Sequence, residues 1–193
     1  MPIPRNWSEE LISEWLHLLG YLAEVGVPVG VGSGGGRKEA DVVGAKIKDN
    51  GKKGRILQIY HVEVGTLSGA HEENVDILRT KFSRERTQEI VKRLKRRMGS
   101  IDEVEYQKLY VDIWPTEIKV AKLMNRKEIK QEEIKVWTPK TLFQEVFQAM
   151  KDWVPTHKSK SGEATLLECW WMLKLLEKLR EWGMLNIDES TNG

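Results

Sequence analysis

Cysteine occurs once in the 193 residues, at Cys169, which excludes an internal disulfide and any cysteine-built zinc site within one chain. It stands in the apolar run Leu166-Leu-Glu-Cys-Trp-Trp-Met-Leu173 and reads as a core residue. No run of eighteen apolar residues is present, so no membrane-spanning helix is expected. The start, Met-Pro-Ile-Pro-Arg, lacks the apolar stretch of a secretory signal. Together these absences point to a cytoplasmic protein with no membrane partner. An excess of charge of one sign is also missing: 31% of residues are charged, yet the net charge is +2, so the overall balance does not by itself declare a polyanion partner. Neither a zinc finger nor the paired aromatics of an RNA-recognition motif can be found. Recognition of nucleic acid would therefore rest on backbone and shape more than on sequence. Abundant Glu, Lys and Arg with few Asn suit a thermophile.

The length suits one domain with a helical extension, divided as a core over residues 1–154 and helices over 155–193, the latter packed on the core or in a dimer interface. Ser8 is placed to cap a helix from Glu9, with Leu11, Ile12, Trp15, Leu16, Leu18 and Leu19 as its buried stripe and Gly20 as its stop. Strands are expected over 21–31, 40–48 and 56–64, the last two joined by a turn at 49–54. Residues 68–98 read as helix, broken near Ser83 and stopped by Gly99. A strand over 108–114, a charged segment without clear pattern, a short strand over 134–137 and a helix opening at Pro139 follow. Residues 155–162 look like a linker, and 163–182 like a deeply packed or subunit-joining helix. The fold class is α/β, a mixed sheet flanked by helices with an αβββαβ core.

Two acids stand near strand ends: Asp41 in Glu39-Ala-Asp-Val-Val-Gly44, and Glu63 in Leu57-Gln-Ile-Tyr-His-Val-Glu-Val-Gly65. Side chains alternate along a strand, so Leu57, Ile59, His61, Glu63 and position 65 share one face. An acid in so apolar a stretch is costly to bury without a partner, which favours a site over a solvent-facing strand end. This pattern resembles the PD-(D/E)XK, or restriction-endonuclease-like, nuclease superfamily over about residues 9–153. The resemblance implies a Mg²⁺- or Mn²⁺-dependent endonuclease acting on DNA in preference to RNA, with Asp41 and Glu63 as metal ligands and a homodimer as its assembly. It further implies a glutamate from the first helix, Glu14 or Glu10; Glu14 is preferred because Glu10 lies near the helix start, where it favours the helix dipole. The superfamily's lysine would fall at position 65, and here that residue is Gly65. Lys46 and Lys81 are the candidates to replace it, Lys46 having the wrong strand parity relative to Asp41 unless Gly44 introduces a bulge. The alternative reading is a catalytically silent member of the same fold that binds nucleic acid or a protein partner.

His61 reads more readily as a satisfied core residue than as a phosphate contact. Between Arg79 and Arg97 nine Lys or Arg residues face two acids. Arg79, Arg86, Lys92, Arg93, Lys95, Arg96 and Arg97 are thus either a solvated helix face or a phosphate-tracking surface. Gly30-Val-Gly-Ser-Gly-Gly35 fits the dinucleotide fingerprint, but that motif must open a helix. The residues after it, Arg37-Lys-Glu-Ala-Asp-Val-Val, read as a strand, so a loop is expected.

Overall fold

The computed structural model describes residues 7–31, 37–49, 51, 54–114, 117–156 and 170–183. Helix α1 (Trp7–Leu18) leads into strands β1 (Leu22–Val31), β2 (Arg37–Asp49) and β3 (Arg55–Gly65). Helices α2 (His71–Lys81) and α3 (Arg84–Met98) precede β4 (Glu103–Asp112). Two short helices, α4 (Glu117–Met124) and α5 (Lys127–Gln131), then β5 (Ile134–Trp137), α6 (Pro139–Thr156) and α7 (Trp171–Glu181) complete the described chain. The expected α/β class is observed.

The five strands form one open mixed sheet in the order β1-β2-β3-β4-β5. The first three strands are antiparallel neighbours, whereas β3–β4 and β4–β5 are parallel. Alternation along β3 sorts its side chains to two sides. Val62 and Val64 join the cluster built by Leu11, Trp15 and Leu16 of α1, Leu142 and Val146 of α6, and Leu173 of α7. Leu57 and Ile59 pack instead under Ile90 and Leu94 of α3. Gly44 allows α1 to lie close on β2, since a Cβ there would meet a Leu16 methyl at 3.0 Å.

Two expectations need correction. The fourth strand is at 103–112 and not 108–114. Its start is hidden in the sequence because Glu103 and Glu105 face solvent while Val104 and Tyr106 on the alternate positions pack beneath α3. The charged segment after Pro115 contains α4 and α5, whose Val120, Leu123 and Ile129 pack on Val136 and Leu78. The last helix is described only from Trp171; the linker residues 157–162 and Cys169 lie outside the described residues. The break near Ser83 falls between α2 and α3, and Phe82 is buried there. Residues 32–36 of the glycine-rich segment also lie outside the description, but the segment joins β1 to β2 and no helix opens after it.

Candidate active site

Glu63, near the end of β3, is fully buried, and an ionised carboxylate there needs partners for each oxygen. Oε1 accepts from His61 Nε2 at 2.8 Å and Arg86 Nη2 at 3.0 Å. Oε2 accepts from Lys81 Nζ at 2.6 Å. The His61 ring is itself held by Tyr106, whose hydroxyl lies 3.0 Å from Nδ1, and by Phe82 edge-on at 4.8 Å. With the Tyr106 hydroxyl donating to Nδ1, the proton sits on Nε2 and points at Glu63. Burial alone would raise the Glu63 pKa, but the His61 hydrogen bond and the charges of Lys81 and Arg86 bring it below the usual glutamate value. His61 is pushed down by burial, against the pull of Glu63, and is a neutral donor. It is the satisfied core histidine that the sequence favoured, with the added task of orienting Glu63.

Asp41, on β2, is a quarter exposed and forms the open side of the site with Lys81. Its Oδ2 accepts the Val64 backbone N–H at 2.7 Å and lies 3.5 Å from Lys81 Nζ. Burial and the nearby charge of Glu63 raise its pKa, with Lys81 and the Val64 N–H opposing. One ammonium therefore bridges the two carboxylates at the place a cation would take.

Lys81 is the last residue of α2. Position 65 cannot supply the group: a Cβ on Gly65 would sit 2.6 Å from the hydroxyl oxygen of the buried Tyr110. Lys81 instead passes its ammonium over the Tyr110 ring, 6.0 Å from the centroid. Arg86, on the first turns of α3, is anchored by a 2.6 Å bond to the Glu39 carbonyl. The α2–α3 corner thus brings both cations to Glu63.

Lys46 and Glu14 are elsewhere. The β2–β3 register runs unbroken from Val42 to Asp49, so Lys46 keeps the opposite parity from Asp41. Its Nζ donates to the Leu19 carbonyl at 3.0 Å. Glu14 accepts the backbone N–H groups of Met172 and Leu173 at 3.2 and 2.8 Å, capping α7, whose own cap position, Trp170, has no side-chain acceptor. Buried there, Glu14 is pushed up to about 7. The α1 acid whose charge reaches Asp41 is Glu9, also buried. Its spacing gave the signal: Glu9, Ile12 and Leu16 stand at i, i+3 and i+7, on one buried stripe.

The basic run divides. Arg86 turns inward, Arg93 and Arg97 both pair with Glu24 of β1, and Lys92 and Arg96 lie at 4.0 and 3.8 Å from Glu89. Arg79 and Lys95 are exposed, with no acidic partner among the described residues.

Asp41 and Glu63 are hard oxygen donors of the kind Mg²⁺ takes in ones or twos with water. They fit such an ion at the position Lys81 now bridges. Among the described residues no cluster of three or more His, Cys, Asp or Glu side chains is arranged to hold a metal. No helix among them is long and apolar enough to cross a membrane. Neither a family model, a curated protein nor a solved structure matches the chain.

Proposed function

We propose that this chain is a metal-dependent phosphodiesterase of the restriction-endonuclease-like class, acting on DNA through Asp41, Glu63 and Lys81. The observation that carries the reading is the Lys81 ammonium at 2.6 Å from Glu63 and 3.5 Å from Asp41, which supports Lys81 as the substitute for a lysine at position 65. The strand order and the mixed pairing around these acids agree with the αβββαβ core. Mg²⁺ or Mn²⁺ held by the two carboxylates would supply charge neutralisation and activate a water. His61 and Arg86 hold Oε1 of Glu63, leaving Oε2 to the Lys81 ammonium that also reaches Asp41. Lys81, at the open side, stabilises the charged phosphate once released from its bridging position. A homodimer through the exposed Trp171 and Leu175 of α7 and Trp182 just after it belongs to the same reading and is tested by sedimentation.

The experiment is cleavage of DNA by purified chain with Mg²⁺ or Mn²⁺. Asp41→Ala and Glu63→Ala should abolish it; activity surviving both sinks the reading. The silent alternative is favoured by the saturation of Glu63 by three donors. It predicts salt-sensitive DNA binding without cleavage.

A further inference from the structure

Over β4 the sheet carries an open groove of about 850 Å³. It exists because β5 covers only Lys108–Val111, leaving Glu103–Gln107 paired with β3 alone. The floor is apolar, made by Val91, Val104 and Tyr106. One wall carries Lys95 of α3, with Lys92 and Arg96 lying 4.0 and 3.8 Å from Glu89; the far wall carries Glu133 and Glu132, the latter paired with Lys108 at 2.7 Å. Tyr106 joins this groove to the carboxylate pair, because its hydroxyl meets His61, which meets Glu63.

We propose that the groove is a nucleotide site which takes an unpaired nucleotide of the DNA substrate, the base on the Val91, Val104 and Tyr106 floor and the phosphate on the α3 cations. The second half of this assignment rests on the nuclease reading; the groove's chemistry does not. Lysines alone would suit any phosphate backbone. An apolar floor offers nothing to a duplex, whose bases are stacked inside, but it offers an unpaired base a surface to stack on. The volume is of the size that holds one small aromatic ligand.

Binding by the full chain carrying Asp41→Ala is measured by fluorescence anisotropy at fixed salt. The probes are a blunt duplex, the same duplex with a single-stranded tail, and the duplex with an abasic tail. The tail should tighten binding roughly tenfold, the abasic tail much less, and Val91→Glu or Lys95→Glu should return the tailed duplex to the blunt value. Lys95→Glu alters an exposed side chain and covers the case in which Val91→Glu fails to fold. Competition by adenosine monophosphate in place of any tail preference assigns the same groove to a free nucleotide. Equal affinity for base-bearing and abasic tails with no competition overturns the site, as does tail preference intact in both variants. No tail preference in Asp41→Ala while the native chain cleaves DNA removes the groove alone; no cleavage by the native chain while Asp41→Ala keeps the preference removes the catalytic reading alone.

Discussion

Glu63 is fully buried, and its charge is held by one imidazole, one guanidinium and one ammonium. Removing a partner from a buried ion costs about 3–5 kcal/mol, because the charge left behind is uncompensated. Arg86→Ala should therefore destabilise the chain by roughly that amount in urea unfolding, and Glu63→Gln in the same background should recover part of the loss. Lys81 has a different signature, since its ammonium sits where a divalent ion would bind. Lys81→Ala should tighten Mn²⁺ binding, read by electron paramagnetic resonance, and unchanged affinity would show that the ammonium and the ion do not compete. At Gly65 the neighbour is the rigid Tyr110 hydroxyl. Gly65→Ala should cost about 1–3 kcal/mol by overpacking, and combining it with Tyr110→Phe should cost less than the sum. An equal sum would place the strain elsewhere.

Two parts of the fold depend on single contacts between residues apart in sequence. Helix α7 begins at Trp171 without a side-chain cap of its own, and Glu14 of α1 binds its Met172 and Leu173 N–H groups. The carboxyl is raised from 4.5 to about 7 in the folded chain. The folded state therefore holds a proton that the unfolded chain releases between these values. Stability from this group is present below about pH 4.5 and lost as pH rises through about 7, a change of up to about 3 kcal/mol. Glu14→Gln should flatten that slope in thermal unfolding, and an unchanged slope would remove Glu14 as its source. The α2–α3 corner depends likewise on Phe82, buried against His61. Phe82→Ala should cost about 3–5 kcal/mol, read by urea denaturation, and loosen the attachment of both cations. This scale also marks what could be read in advance. Strand alternation was enough to place Glu63 among apolar neighbours and to disfavour Lys46. The Glu14 assignment failed because the contact spans 158 residues, and nothing near Glu14 in the chain names α7 as its partner. Helices α4 and α5 were illegible for a simpler reason: they are 8 and 5 residues long, too short to display a periodicity.

At the scale of the molecule, one sheet serves two purposes. The side carrying Val62 and Val64 is sealed by α1, α6 and α7, while the other holds the carboxylates beneath α2 and α3. The basic run reads differently here than along the chain. Arg93 and Arg97 tie α3 to β1 through Glu24, and Lys92, Lys95 and Arg96 line the groove. Its nine cations are divided among fold, site and surface. In the proposed function, the Lys81 ammonium from α2 does the work of the lysine absent at position 65. The most direct test is cleavage of supercoiled DNA with Mg²⁺ or Mn²⁺ by the native chain and by Lys81→Met, with circular dichroism confirming that the variant is folded. Nicking by the native chain is expected, with a loss of roughly 10²-fold or more in the variant. Equal rates in the two proteins would contradict it.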